Sequence, residues 1–218
     1  MTEPGPHSTI RFILGSASPA RLRTLLSAGV VPEVIVSHVD ESAAEGHPPA
    51  ELVQVLANAK ARAIADRLRS EAIARGEELP AGALVLGCDS MLEFDGAALG
   101  KPASNDEAVE RWKRMRGRTA ILHTGHCLID VGAGRLAIST VSTSVHFGDI
   151  TDDEIEVYCS SGEPANVAGA FTIDGLGGWF IDAIDGDHHN VVGVSLPALR
   201  KLLLELNVTL RDIGYPTP

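Results

Sequence analysis

Short apolar runs alternate along the chain with stretches whose apolar residues recur every three or four positions, the pattern of strands interleaved with helices. The first run, Ile10 to Leu14, has strand length and is halted by the small residues Gly15-Ser16-Ala17-Ser18. Pro19 then opens a helix that ends near Gly29. Ser18 suits the N-cap because its hydroxyl can accept from a first-turn amide, and proline at the first helical position has no amide to leave unpaired. Glu33 to Val39 alternates and is rich in β-branched residues, so it reads as a second strand, followed at once by Asp40-Glu41. After the loop Gly46-His47-Pro48-Pro49, helical spacing extends from about Ala50 to Arg75, with an apolar face of Leu52, Val55, Leu56, Ala59 and Ala63 and Gly76 as terminator. Ala83 to Gly87 is a compact apolar strand that ends in Cys88-Asp89-Ser90. Met91 to Lys101 then forms a hairpin turning at Asp95-Gly96.

The second half follows the same logic. Ser104-Asn105-Asp106-Glu107 is a capping box that starts a helix to Arg116, with Ala108, Val109, Trp112 and Met115 as its core face. Thr119 to Asp130 and Arg135 to Phe147 are long, alternating and β-rich, and the glycine-bearing link between them makes an antiparallel hairpin. Thr151 to Glu154 is a second capping box, for a helix to about Ser160. Trp179 to Ile184 reads as a strand, His188-His189 as a polar turn, and Ser195 to Leu206 as the last helix. No repeat and no long linker divides the chain, so residues 10–207 read as one mixed α/β domain. Residues 1–9 are expected to be disordered and 208–218 an irregular tail.

Composition narrows the chemistry. The chain has 218 residues, 44% hydrophobic and 22% charged, the balance of a globular protein with a substantial core. Net charge is −11, and aromatics are only 4%, which argues against a nucleic-acid partner. Any phosphate must therefore be held locally, by a few cations or a bridging metal. Cys88, Cys127 and Cys159 fit neither a disulfide framework nor a zinc site, no apolar run reaches membrane length, and the first residues do not form a signal peptide. A cytoplasmic protein with no membrane partner is the expectation.

Within this frame a few positions could carry chemistry. The strand-to-helix turn at Ser16 to Pro19 leaves amides at a positive helix end, a ready anion site, and Arg21 could add a planar fork; an ordinary turn with a surface arginine is the plainer reading. Asp40-Glu41 reads as a solvated turn. Lys60, among alanines at the edge of its helix face, reads as a snorkelling side chain. Asp89 is either a catalytic acid at a strand end or a turn cap. His188-His189 lacks a third metal ligand at suitable spacing.

Taken in order, these pieces resemble the Maf family of nucleoside triphosphate pyrophosphatases, also called septum-formation-inhibitor proteins. Ser16-Ala17-Ser18-Pro19-Ala20-Arg21 is similar to the family's Ser-x-Ser-Pro-Arg-Arg, and Asp40-Glu41 and Lys60-Ala61 match in place. Gly87-Cys88-Asp89-Ser90, Gly100-Lys101-Pro102, Arg116-Gly117-Arg118, Ala168-Gly169-Ala170-Phe171 and Asn190-Val191-Val192-Gly193 follow in the family's order. The resemblance covers Ile10 to Asn207. It departs at three places: Ala20 stands for the first of two arginines, Val167 for a lysine common in the family, and Asp174 for a glutamine.

The resemblance implies an elongated, bent mixed sheet with flanking helices and two lobes around a central cleft, in a protein that is often a homodimer. It implies hydrolysis of a nucleoside triphosphate between the α and β phosphates. Ser16, Arg21, Lys60 and Lys101 would bind the phosphates, Glu41 and Asp89 would hold Mg²⁺ or Mn²⁺, and Asp89 would be the general base. Two alternatives are a nucleotide-binding regulator of cell division without turnover and another phosphate-ester hydrolase in the same cleft. The departures place the base preference away from the branch acting on thymidine and uridine triphosphates and nearer the branch acting on 7-methyl-GTP. The carboxylate of Asp174 suits the donors of a purine edge better than the two carbonyls of a pyrimidine.

Overall fold

The computed structural model describes residues 10–40, 46–77 and 82–216. The expectations for residues 1–9 and for Glu41 lie outside the described residues. The first apolar run forms β1 (Arg11–Leu14), and Pro19 opens α1 (Pro19–Ser27), whose N-cap Ser18 accepts from the Arg21 amide. The second strand is far shorter than its alternation suggests: β2 spans only Glu33–Val34. β1 ends at Leu14, so after Ile35, whose amide reaches the Leu14 carbonyl, no backbone remains to pair with.

Helix α2 (Pro49–Arg75) buries Val53, Leu56, Ala57, Ala61, Ile64, Ala65, Leu68 and Ala72, so of the expected face only Leu56 is fully buried. Val55 is exposed, and an alanine row at i, i+4 spacing faces inward in its place. The cause lies in the sheet, where a Cβ on Gly87 would strike the backbone at Ala57 and one on Gly125 the backbone at Val53. Helix backbone rests almost directly on strand backbone there, which admits only small residues.

Strand β3 (Ala83–Phe94) is twelve residues long and runs straight through Cys88-Asp89-Ser90, so Asp89 is mid-strand and not at a strand end as expected. It turns at Asp95-Gly96, both with positive φ, into β4 (Ala97–Leu99). Then follow α3 (Asn105–Met115), the long hairpin β5 (Thr119–Asp130) and β6 (Leu136–Phe147), and α4 (Asp152–Ser160) with its full capping box. A 3₁₀ turn at Leu176–Phe180 takes the first part of the expected late strand, leaving β7 (Ile181–Asp185). His188-His189 is not a polar turn: it begins α5 (His188–Val192), capped by Asp187, and α6 (Leu196–Glu205) is the last helix. The tail is irregular only in part, since Ile213 is buried in the core.

The seven strands form one open mixed sheet in the order β2-β1-β3-β5-β6-β7, with β4 beside the far end of β3. The β1 pairings are parallel and the rest antiparallel. Two cores flank the near half of the sheet, one under α1 and α6 and one under α2. A third, built on Trp112, Phe147, Tyr158 and Phe171, fills the far half. These are the two lobes, joined by the long strands. Among the described residues, no helix is long and apolar enough to cross a membrane.

Candidate active site

One edge of β3 decides where the site lies. β1 pairs with residues 83–86 and β4 with residues 92–94 of that same edge, which, among the described residues, leaves Gly87 to Met91 between them without a strand neighbour on that side. Asp89 is the middle residue of the gap. The loop after β1 enters from one end, with the Gly15 amide donating to the Leu86 carbonyl. Gly100-Lys101, just after β4, enters from the other. A break of this kind in a sheet edge is where open α/β sheets place ligands.

Because strand side chains alternate, Asp89 and Ser90 face opposite sides of the sheet. On the α2 side, Lys60 Nζ donates to Asp89 Oδ1 at 2.5 Å, with side chains 14% and 11% exposed. The close helix–strand packing at Gly87 and Gly125 lowers Lys60 onto the strand. Its neighbouring alanines are thus what seats the lysine, and it is an ion-pair partner and not a snorkelling side chain.

On the other side, Arg21 is bound into the protein. Its Nε donates to the Gly193 carbonyl at 2.8 Å, Nη1 to Ser16 Oγ at 2.9 Å and the Cys88 carbonyl at 3.0 Å, and Nη2 to Ser90 Oγ at 2.9 Å. The hydrogen bonds beyond it run one way. Thr124 gives its single hydroxyl proton to the Asn190 carbonyl at 3.0 Å, so in the 2.9 Å contact between Ser90 and Thr124 the donor is Ser90. Asn190 Nδ2 then donates to the Leu122 carbonyl and Thr143 Oγ1. Arg21 thereby ties the loop after β1, the middle of β3 and the α5–α6 junction together. Burial pushes His126, on this same side, down to about 4, so the ring is neutral and its Nε2 accepts the Ser195 amide at 2.9 Å.

Ser16 is nearly buried, and its oxygen accepts from both the Ser18 amide and Arg21. With both lone pairs engaged, its proton is the part left to offer to an anion. Lys101 is exposed. Its loop is pinned from behind, since the Gly100 carbonyl accepts from Arg111 Nη1 at 2.6 Å and from the Gly169 amide at 3.1 Å. Asp174 stands on the Ser90 side of the sheet, where Arg23 of α1 donates to it at 3.3 Å. The loop that carries it is wrapped around Glu163, which accepts from Tyr158, Thr172 and the amides of Leu176 and Gly177. These bonds hold the Glu163 carboxyl below the usual range although burial acts to raise it.

The gap thus gathers Ser16, Lys60, Asp89 and the Lys101 loop. Arg21 lies behind it and Asp174 beside it. Sequence reasoning singled out neither Thr124 nor Glu163, and it named Ser90 only within the motif of Asp89; their roles arise from contacts between distant segments. Asn190 had a signal in its motif but no role. The three cysteines are free and buried, with Cys88 pushed up to about 12 and Cys127 to about 11 by burial, so neither is a nucleophile. Among the described residues no three His, Cys, Asp or Glu side chains form a metal cluster. The carboxylate of Asp89 supplies hard oxygen donors of the kind Mg²⁺ or Mn²⁺ takes, but a complete set would need ligands from elsewhere.

Known proteins similar to this chain share one family and one name. The model of the family described as Maf-like protein matches residues 11–206. A nucleoside triphosphate pyrophosphatase of Salinispora tropica is 52% identical over 215 residues, 96% of this chain and 92% of its own. A protein of the same name from Streptomyces coelicolor is 52% identical over 97% of this chain and 98% of its own. Another from Thermosynechococcus vestitus is 46% identical over 94% and 98%.

Proposed function

The chain belongs to the Maf-like protein family, and from that premise we infer that it is a nucleoside triphosphate pyrophosphatase, a hydrolase that releases pyrophosphate. The observation that carries the reading is the Lys60–Asp89 pair at the centre of an unpaired strand edge, with a serine loop and a lysine loop entering from its two ends. A regulator that only bound nucleotide would need the cations but not a carboxylate among them.

Attack of water on a triphosphate is opposed by the charge already on it, so catalysis requires neutralisation and a positioned water. Ser16 donates its hydroxyl proton to a phosphate oxygen, and Lys60 and Lys101 place positive charge on the chain of phosphates. Arg21 serves the phosphate through Ser16, whose oxygen it fixes. Asp89, oriented by Lys60, accepts the proton of the attacking water between the α and β phosphates. A divalent cation, Mg²⁺ or Mn²⁺, neutralises phosphate charge when bound; Asp89 would hold it, with Glu41 as the second carboxylate. Asp174 faces the base and favours a purine. Action in the cytoplasm and assembly as a homodimer complete the proposal.

The test is incubation with a panel of triphosphates and Mg²⁺, with monophosphate, pyrophosphate and orthophosphate quantified. Equimolar monophosphate and pyrophosphate is the expected result. Binding without turnover would make the protein a regulator, and release of orthophosphate would make it a different phosphate-ester hydrolase.

A further inference from the structure

Lys101 stands on a loop, so where its ammonium reaches depends on what holds that backbone. The residues on both sides of it are held. The Gly100 carbonyl accepts from Arg111 Nη1 at 2.6 Å and from the Gly169 amide at 3.1 Å, which engages both of its lone pairs. Pro102 is buried, and its ring confines the residue before it, Lys101 itself, to extended backbone. The Ala103 amide donates to Glu107 Oε2 at 2.7 Å.

The holds on Gly100 and Ala103 meet in one pair on α3. Arg111 Nε and Nη2 donate to Glu107 Oε1 at 3.1 and 2.6 Å, while Nη1 goes to Gly100, and the arginine side chain is only 12% exposed. Glu107 departs from the capping box expected of Ser104 to Glu107, in which its carboxylate would return to the Ser104 amide. Ser104 Oγ does accept the Glu107 amide at 3.1 Å, but the carboxylate reaches one residue further, to Ala103. An i, i+4 ion pair is ordinarily a matter of the helix surface. This one grips the loop before and after Lys101.

We propose that Arg111 is the positioning residue for Lys101: with Glu107 it fixes the backbone on both sides of that lysine and so sets where the ammonium meets the phosphates. The proposal rests on the pyrophosphatase reading and adds to it a residue that acts through another. Without Arg111, the Gly100 carbonyl keeps only the Gly169 amide, and Glu107 loses the cation that orients its carboxylate toward Ala103. Arg111→Lys would not restore the hold, because a single ammonium lacks the planar fork that serves a carboxylate and a carbonyl at once. A group displaced by about 1 Å from its working position can cost on the order of 10²-fold in rate.

The experiment is a double-variant cycle on pyrophosphate release, run with the triphosphate that wild type hydrolyses fastest. Arg111→Ala and Arg111→Lys should each lower kcat/KM by about ten- to a hundredfold. Glu107→Gln, which acts on the loop from its other end, should lower it in the same direction. In a Lys101→Ala background, Arg111→Ala should change kcat/KM by less than about twofold, because the lysine it positions is gone. A residue that only stabilised α3 would act alike in both backgrounds, so an undiminished effect in Lys101→Ala overturns the proposal. Wild-type kcat/KM in Arg111→Ala, or in Lys101→Ala, overturns it as well. If Arg111→Ala does not fold, the same cycle run with Glu107→Gln decides. If wild type releases pyrophosphate from no triphosphate, the pyrophosphatase reading fails and the proposal with it; every other failure leaves that reading standing.

Discussion

Asp89 and Ser90 are neighbours in sequence, yet the two sides of β3 on which they stand are built on opposite principles. On the Asp89 side a carboxylate and an ammonium meet at 2.5 Å at the gap in the strand edge. On the Ser90 side one guanidinium feeds a neutral chain of hydroxyls that ends on the Asn190 backbone, flanked by the neutral ring of His126 and the protonated thiol of Cys88. Hydrogen bonds linked in this way fix the loop after β1 in place. The strand sets the proposed general base on one side and the hydroxyl relay on the other. Residues of one motif can therefore have unrelated roles when they alternate across a strand.

The comparison breaks first, and by the largest margin, at Asp89. Asp89→Asn should lower kcat by ~10²–10⁴-fold in a folded protein, with a lowered thermal midpoint as well, because it keeps the shape but leaves the Lys60 ammonium without its carboxylate. A folded variant with near-normal turnover would move the chemistry away from this side. Chelation provides a parallel check, since full activity after exhaustive removal of divalent ions would eliminate a cation at Asp89 and Glu41.

The Ser90 side should instead be exposed by acid. His126 titrates at about 4 in the folded protein against 6.5 for an ordinary histidine, so between those values the unfolded chain takes up a proton that the folded one refuses. Stability is complete above 6.5 and falls as the pH drops toward 4, by about 3 kcal/mol for a shift of this size. Denaturant midpoints between pH 7.5 and 5 should show the loss, and His126→Gln should flatten the profile. An unchanged profile would mean that another group governs it.

A smaller effect is expected at the helix contact that serves the Asp89 side. Gly87→Ala would force α2 off the strand, costing about 1–3 kcal/mol and drawing Lys60 away from Asp89, so stability and kcat should fall together. The smallest effect belongs to the relay. Thr124→Val removes the hydroxyl between Ser90 and Asn190 and should cost about 1 kcal/mol in the denaturation free energy, with kcat reduced less than tenfold. Were Thr124→Val as damaging to turnover as Asp89→Asn, the division between the two sides would not hold.

Much of this molecule is decided locally, and that part is legible in the chain. Ser18-Pro19, Ser104 and Thr151 start helices because a side-chain oxygen and a free amide a few residues away suffice for a cap. Thr119–Asp130 and the strand after it pair over their full length because alternation and a short glycine turn are properties of adjacent sequence. Ser16, Lys60, Asp89 and Lys101 could be marked as candidates by their place in ordered motifs. What required the tertiary structure depends on where distant backbones meet. Four-residue β1 cuts β2 to two residues. Glycines on β3 and β5 select the alanine face of α2 and seat Lys60 on Asp89. β1 and β4 share one edge of β3 and so put Asp89 in a gap, not at a strand end. Arg21, read from sequence as a fork for phosphate, is surrounded by acceptors from positions 16, 88, 90 and 193. Local sequence sets which groups exist and how each segment bends, but the partner of a charge is whatever the fold brings within about 3 Å of it, and that distance is a property of the whole chain.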